Sequence, residues 1–175
     1  MITLLLGGAR SGKSALAGEL GRRHDGPVTY LATCPPLDDE LRERIARHRA
    51  DRPGWPTIEE PFDLAGALAT VDGTTFVIVD CLTLWVSNLL ARGDDDASIH
   101  ALATRTAALA AGRAGPTVVV SNEVGLGVHP STELGRRYRD VLGDVNQAWV
   151  RVAGTTLLLV AGRAVRLDDP VALLA

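Results

Sequence analysis

Residues 2–20 read ITLLLGGARSGKSALAGEL, and this stretch determines the fold class of the chain. The apolar run Ile2 to Leu6 has the composition of a buried strand, and it leads directly into Gly7-Gly8-Ala9-Arg10-Ser11-Gly12-Lys13-Ser14. That octapeptide matches the phosphate-loop pattern GxxxxGK[ST]. Ser14 to Arg22 follows with Leu16 and Leu20 at helical spacing. A chance glycine turn would not need a strand before it and a helix after it, so we predict a P-loop nucleotide-binding fold.

The residue types in this loop suit triphosphate chemistry. Glycines let backbone N–H groups turn toward phosphate oxygens, and the N-terminus of the following helix adds positive potential. Lys13 is the only lysine of the chain, because every other basic side chain is arginine. In a phosphate loop the lysine reaches the β- and γ-phosphates, and the serine after it can ligate Mg²⁺. We therefore predict that residues 7–14 bind GTP or ATP, that Lys13 is catalytic and that Ser14 is a metal ligand.

Further apolar runs at Val28–Ala32, Phe76–Val79, Thr117–Val120 and Thr156–Val160 alternate with helical patterns. Continuous apolar strands separated by helices are typical of a parallel sheet that is covered on both faces. The run Leu157–Val160, followed by residues 161–163 and Ala164–Leu167, predicts a closing hairpin. We expect an α/β, three-layer P-loop fold with a mostly parallel central sheet and an antiparallel C-terminal edge hairpin, formed by residues 1–175 as a single domain.

Two later segments have apolar residues at helical spacing. One lies directly after the third strand, and the other is a long segment near the C-terminus. The first stripe consists of Leu82, Trp85, Val86, Leu89 and Leu90. The second consists of Leu134, Tyr138, Leu142, Val145 and Trp149. We expect both stripes to face the core.

Composition excludes several classes of protein. The formal net charge of −3 does not favour a broad basic surface for nucleic acid. No apolar run approaches the roughly 18 residues of a membrane span, and the N-terminus lacks the basic region of a secretory signal. Cys34 and Cys81 have no metal-type spacing, and two distant cysteines suit reduced thiols in the cytoplasm.

Polar residues follow two of the predicted strands. Asp80 ends the third strand, where it could present a carboxylate to Mg²⁺ or merely cap the next helix. The fourth strand ends in Ser121-Asn122-Glu123-Val124-Gly125-Leu126-Gly127, which could contact a ligand at the carboxyl edge of the sheet or form a polar turn. Cys81 is most simply a packed thiol, because no group that would lower its pKa is evident from the sequence.

His48 lies in a predicted helix from Asp38 to Arg49, on one face with Leu41 and Ile45. A histidine on an apolar face usually packs, but the neighbouring arginines could hold phosphates while a neutral imidazole attacks. The other histidines, His24, His100 and His129, have no comparable context, and we expect them at the surface or in loops.

Taken together, these residues resemble the bifunctional adenosylcobinamide kinase and adenosylcobinamide-phosphate guanylyltransferase family. The matching segments run in order along nearly the whole chain. They are the phosphate loop, Tyr30-Leu31-Ala32-Thr33, Arg44-Ile45 with His48 and Arg52-Pro53, Glu59-Glu60-Pro61, Val79-Asp80-Cys81-Leu82-Thr83, Ser87-Asn88-Leu89-Leu90, Asn122-Glu123-Val124-Gly125 with Gly127, and Arg139-Asp140 with Asn146-Gln147.

The resemblance implies phosphorylation of the aminopropanol hydroxyl of adenosylcobinamide, with ATP or GTP, followed by attachment of GMP to the new phosphate. It implies a guanylylated histidine at His48. Some members have two adjacent histidines, but Arg47 precedes His48 here. It also implies that Thr33, Arg52 and Glu60 contact nucleotide, with Glu59 exchangeable for Glu60, and that the protein is a homotrimer. Two alternatives remain, a small-molecule P-loop kinase without the transferase step and a non-enzymatic nucleotide switch.

Overall fold

The computed structural model describes residues 1–34 and 54–174. In chain order the elements are β1 (Ile2–Gly7), α1 (Lys13–Arg22), β2 (Val28–Ala32), β3 (Thr57–Glu59), α2 (Leu64–Thr70), β4 (Phe76–Asp80), α3 (Leu82–Arg92), α4 (Asp96–Ala111), β5 (Thr117–Val120), α5 (Glu133–Val150), β6 (Thr155–Val160) and β7 (Arg163–Arg166). Within these residues no helix is both long enough and apolar enough to cross a membrane.

The strands form one seven-stranded sheet in the order β3-β2-β4-β5-β1-β6-β7. Every neighbouring pair is parallel except β6 and β7. The predicted α/β fold with a mostly parallel sheet and an antiparallel C-terminal edge is thus confirmed. Because β4, β5 and β1 are adjacent and parallel, their carboxyl ends meet at one edge of the sheet, where ligands bind in open α/β folds.

Alternate residues of β1 belong to different cores, as the two-residue period of a strand requires. Leu4 and Leu6 pack in a large cluster with residues of α2, α3, α4 and α5, including the fully buried Trp85 and Trp149. Leu5 packs in a smaller cluster that contains Ala17 of α1. Helices therefore cover both faces of the sheet, which gives the three expected layers.

Two features depart from the sequence analysis. The short strand β3 was not expected; it has three residues, none of them fully buried, and it adds to the edge beside β2. Leu134 was expected in the core, but it is 64% exposed at the first turn of α5, while Leu142, Val145 and Trp149 on the same helix are buried. The apolar stripe of α5 therefore continues beyond the part of the helix that covers the sheet.

The C-terminal hairpin contacts the phosphate loop. β6 and β7 pair up to Val160 and Arg163, so the turn has two residues, one fewer than expected. They are Ala161 and Gly162, with φ of 50° and 75°, the positive values that a tight hairpin turn favours. The N–H of Gly162 donates to the carbonyl oxygen of Ser11 at 2.9 Å. The last two strands therefore support the loop that follows the first.

Candidate functional site

The phosphate loop has a backbone that requires glycine at its ends. Gly7 has a φ of 147°, and a Cβ at this position would lie 2.3 Å from the carbonyl oxygen of Leu159 in β6. Gly12 has a φ of 102° and is the N-cap of α1. Arg10 also has a positive φ, 57°, and its side chain is exposed. The loop thus turns tightly between β1 and α1, and it leaves the N-terminus of α1 facing the carboxyl edge of the sheet.

Lys13, the first residue of α1, is only 7% exposed. Its ammonium group donates to the carbonyl oxygens of Gly7 and Gly8, at 2.8 and 2.7 Å, and to the hydroxyl of Ser11 at 3.3 Å. Burial lowers the pKa of this ammonium, whereas the charge of Asp80 acts in the opposite direction. Lys13 therefore holds the loop in shape, and its charge lies where loop N–H groups and phosphates would meet.

A cavity of about 430 Å³ lies over the loop at the edge where β1, β4 and β5 end. One side is formed by the loop and the start of α1, and the other by residues at the ends of β4 and β5. The lining residues are Ala9, Arg10, Ser11, Gly12, Lys13, Ser14, Ala15, Asp80, Cys81, Thr83, Leu84, Val120 and Asn122. The volume lies within the usual range of small-molecule sites.

Asp80 faces this cavity and does not cap the next helix. The N-cap residue of α3 is Cys81, which makes no side-chain capping bond. The Tyr30 hydroxyl of β2 donates to Oδ2 of Asp80. Asp80 and Cys81 are joined by a cis peptide bond. Asp80 is therefore not the N-cap residue of α3, and it lines the same cavity as Ser14.

Ser14 and Asp80 supply one hydroxyl and one carboxylate oxygen. Mg²⁺ usually binds through one or two such protein oxygens, with water and substrate phosphates as its remaining ligands. Residues 1–34 and 54–174 contain no cluster of three or more histidine, cysteine or acidic residues that could bind a metal by themselves. The donor set at this cavity therefore fits a magnesium ion that arrives with a nucleotide.

Cys81 does lie at a helix N-terminus, a feature that lowers thiol pKa values and that was not evident from the sequence. Burial outweighs this effect and, together with the charge of Asp80, raises the pKa of the Cys81 thiol to about 12. The thiol is therefore protonated at neutral pH. The expectation of a packed thiol rather than a nucleophile agrees with this environment.

Thr33 is fully buried, and its hydroxyl is used within the protein. Oγ1 donates to the Cys81 carbonyl oxygen at 2.7 Å and accepts from the Cys81 N–H at 2.9 Å. These two hydrogen bonds hold the backbone of Cys81, the residue directly after Asp80, in place. Its role as a nucleotide contact, implied by the resemblance, stays a prediction.

Glu60 lies after β3, partly buried, while Glu59 is exposed. Oε1 of Glu60 accepts the backbone N–H groups of Phe62 and Asp63, each at 2.8 Å. Asn88 of α3 donates to the carbonyl oxygens of Thr33 and Pro61 at 2.8 and 3.1 Å, which ties this loop to the end of β2. Neither glutamate lines the cavity over the phosphate loop.

A hydrogen-bond network holds the end of β5 at the cavity, and sequence reasoning assigned no role to two of its members, Thr83 and Asn146. The Asn122 N–H donates to Oγ1 of Thr83 at 2.8 Å. Asn146 of α5, which is 5% exposed, donates to the Asn122 carbonyl oxygen and accepts from the Ser121 hydroxyl at 2.6 Å. The sequence signal for this network was Asn146, an amide residue directly after Val145 of the predicted apolar stripe. Asn122 is thereby brought to the lining, whereas Leu126 and Gly127 are exposed.

His48 and Arg52, and the predicted helix 38–49 that carries His48, lie outside the described residues. The remaining histidines lie at the surface or in loops, as expected, and none of them lines the cavity over the phosphate loop. His24 packs its ring against Phe76 with the ring centroids 5.1 Å apart, and His100 and His129 are exposed.

Comparison with known proteins identifies the family. Residues 3–167 match the family model described as cobinamide kinase / cobinamide phosphate guanyltransferase. The bifunctional adenosylcobalamin biosynthesis protein CobP of Pseudomonas aeruginosa is 44% identical over 167 residues, which cover 93% of this chain and 94% of the relative. The bifunctional proteins named CobU of Escherichia coli and Salmonella typhimurium are each 36% identical, with 95% of this chain and 99% of each relative covered.

The fold comparison is more distant. A solved ATPase from the type III secretion system of pathogenic bacteria superposes with a TM-score of 0.58 at 13% identity, over 90% of this chain and 50% of that structure's chain. This likeness supports the P-loop fold alone. The family model and the three relatives show the family as well as the fold, because their matches extend over nearly the whole sequence. The chain belongs to the cobinamide kinase / cobinamide phosphate guanyltransferase family, whose members are bifunctional enzymes of cobalamin biosynthesis.

Proposed function

We propose that the protein carries out two successive transfers on one corrinoid substrate. In the first, ATP or GTP phosphorylates the aminopropanol hydroxyl of adenosylcobinamide. In the second, GMP is transferred from GTP to adenosylcobinamide phosphate, which gives adenosylcobinamide-GDP. The observation that carries the proposal is the convergence of Lys13, Ser14 and Asp80 on one cavity in a member of this family.

In the kinase step, residues 7–14 would bind the triphosphate through their N–H groups and the N-terminus of α1. The Lys13 ammonium would exchange its carbonyl acceptors in the loop for phosphate oxygens. Ser14 and Asp80 would hold Mg²⁺, which neutralises the charge that develops on the phosphates. The acceptor hydroxyl oxygen would then attack the γ-phosphorus and pass its proton to solvent. The bond between the γ-phosphorus and the β–γ bridging oxygen breaks, and the diphosphate leaves with the electron pair. Positioning and charge stabilisation supply the catalysis, so no protein nucleophile is needed.

In the guanylyl step, a neutral imidazole nitrogen of His48 would attack the α-phosphorus of GTP. The N–P bond forms, the α–β bridging P–O bond breaks, and pyrophosphate leaves with the electron pair. A phosphate oxygen of adenosylcobinamide phosphate then attacks the same phosphorus and returns the electron pair to the imidazole. The matching segment around His48 supports this assignment. Arg52, Thr33 and Glu60 are proposed as nucleotide contacts on the same basis.

A labelling experiment tests the histidine directly. Incubation with GTP labelled at the α-phosphate should give one acid-labile, alkali-stable label per chain. The label should be absent in His48→Ala and present in the three control variants His24→Ala, His100→Ala and His129→Ala. His48→Ala should still phosphorylate the corrinoid, because that step needs no protein nucleophile. GMP found on another residue, or no adduct during turnover, would contradict the assignment and leave a kinase without the transferase step.

We further propose that residues 1–175 act as one domain and that three copies assemble. The exposed apolar side chains of the C-terminal hairpin, including Val160 and Val165, support an assembly, since large apolar residues at a surface often mark an interface. A cytoplasmic location is proposed because the two cysteines, both in the described part of the chain, form no disulfide. Nucleotides and a corrinoid are proposed as partners from the phosphate loop and the family match, and the net charge of −3 does not favour nucleic acid.

A further inference from the structure

A second cavity, of about 420 Å³, lies between α3 and the first turns of α5. We call it the α3–α5 groove. Its lining includes Ser87, Leu90 and Ala91 from α3, and Thr132, Leu134 and Tyr138 from the start of α5. Of the side chains in the described part of the chain, those that line this groove are aliphatic, hydroxyl or phenol groups, and none is charged at neutral pH. The groove is therefore apolar with a few neutral hydrogen-bonding groups.

The exposed side chain of Leu134 favours the binding of an apolar ligand in this groove. The side chain is 64% exposed, although it continues the apolar stripe of α5. Removing an apolar side chain from water is favourable in proportion to the apolar area that is covered. Ser87 and Ala91 are also exposed, so the floor of the groove is open to solvent along α3. A ligand with an apolar face would gain free energy from covering these residues.

The groove lies next to the nucleotide cavity along one face of α3. Thr83 and Leu84 line the nucleotide cavity, and Ser87, Leu90 and Ala91 follow at helical spacing on the same face. The separation along the helix axis is about five residues, or roughly 8 Å at 1.5 Å per residue. The Tyr138 hydroxyl in the groove donates to the carbonyl oxygen of Thr83 at 3.2 Å. Burial raises the pKa of this phenol to about 12, so it stays a neutral donor.

The geometry of phosphoryl transfer limits where the acceptor substrate can bind. Its hydroxyl must come within roughly 3–3.5 Å of the phosphorus that it attacks. The cavity over the phosphate loop holds only about 430 Å³, which the nucleotide occupies. A tetrapyrrole-like macrocycle cannot enter the same space, so it must lie outside the cavity, within the length of the arm that bears the hydroxyl. The α3–α5 groove lies outside the cavity and about five residues farther along α3.

We propose that the α3–α5 groove binds an edge of the corrin macrocycle of the acceptor, with the hydroxyl-bearing arm running along α3 to the nucleotide cavity. This inference rests on the proposed function. The aliphatic side chains of Leu90, Ala91 and Leu134 contact the apolar face of the ring. The hydroxyls of Ser87 and Thr132 face the carboxamide groups at its periphery.

Corrinoid binding without turnover tests the proposal. The probe is cobinamide, titrated calorimetrically in the absence of nucleotide. Ala91→Trp fills the groove, and its matched control is Ala101→Trp, which replaces another exposed helical alanine, on α4. Leu134→Gln removes the apolar contact, and its control is Val171→Gln, since Leu134 and Val171 are 64% and 73% exposed. Both groove variants should weaken cobinamide binding at least tenfold, with unchanged GTP affinity and unchanged labelling by GTP. Both controls should bind cobinamide as the wild type does.

The outcomes separate this proposal from the proposed function. Wild-type affinity for cobinamide in both groove variants would overturn the groove while the enzyme assignment stands. A change of oligomeric mass in Ala91→Trp with wild-type cobinamide affinity would also overturn it, since the groove would then be covered by a second copy of the chain. Wild-type protein that binds no cobinamide and transfers no phosphoryl group to it would overturn both proposals.

Discussion

Replacing Thr33 with valine tests the hydrogen bonds that position the end of β4. The substitution keeps the size and branching of the side chain but removes the hydroxyl. The Cys81 N–H then loses its acceptor at 2.9 Å, whereas the Cys81 carbonyl oxygen loses one donor and keeps the Trp85 N–H at 3.2 Å. An unsatisfied buried donor costs roughly 1–3 kcal/mol. We expect the free energy of unfolding to fall by about 2 kcal/mol, which corresponds to roughly 4–8 °C in Tm for a chain of this size.

The matched control is Thr106→Val. Thr106 is also fully buried, and its hydroxyl donates to the Leu102 carbonyl oxygen at 2.7 Å within α4. That oxygen also accepts the helical N–H four residues on, so valine leaves no group without a partner. The control should stay within about 0.5 kcal/mol of the wild type.

Urea unfolding monitored by tryptophan fluorescence, together with GTP titration, distinguishes the two roles considered for Thr33. A large loss of stability supports the positioning role. If Thr33→Val were as stable as Thr106→Val and lost GTP affinity, the hydroxyl would serve the nucleotide directly, and the reasoning from the buried hydrogen bonds would be refuted.

Three further predictions concern the cavity. Lys13→Ala should lower kinase turnover by about 10²-fold or more in a steady-state assay, because the ammonium charge is lost; near-normal turnover and GTP affinity in a folded variant would contradict the site. Asp80→Asn keeps an acceptor for the Tyr30 hydroxyl, so thermal stability should barely change, while the rate falls and the Mg²⁺ concentration for half-maximal rate rises. A normal rate with a normal magnesium titration would return Asp80 to a structural role. Burial raises the pKa of the Cys81 thiol from 9.0 to about 12, so the unfolded chain loses this proton first and the free energy of unfolding should fall as pH rises from about 9 to 12. Cys81→Ala should make that fall shallower in urea titrations, and an unchanged pH dependence would show that the thiol is not the cause.

Elements with strong local periodicity could be predicted from the sequence. The apolar spacing of Leu82, Trp85 and Leu89 indicated a buried helix, and all three residues are fully buried. The phosphate loop was recognisable because its glycines and its lysine act within eight consecutive residues. By contrast, β3 consists of three residues between Pro56 and Pro61, and its pairing with β2 depends on the tertiary structure. Leu134 fits the helical period, but a period cannot show where a helix extends beyond the sheet that it covers.

The supporting contacts of the site could not be predicted, because they join residues that are distant in sequence. The hydrogen bonds of Thr33 with Cys81 span 48 residues, and that of Tyr30 with Asp80 spans 50. Asn146 lies 24 residues from Asn122. Each of these side chains gained its position from strand order, which no local pattern encodes. The resemblance to the family indicated the segments that contain them, without indicating which partner each side chain contacts.

The position of β1 has a consequence for synthesis of the chain. β1 is synthesised before both of its neighbours in the sheet, β5 and β6, and β6 ends at Val160. At roughly 5–20 residues per second, the apolar segment Ile2 to Leu6 waits about 8–30 s before both partners exist. During that time its backbone groups are available to other nascent chains. Because Ser11 receives its hydrogen bond from Gly162, the phosphate loop gains this support only after the hairpin turn between β6 and β7 has been synthesised.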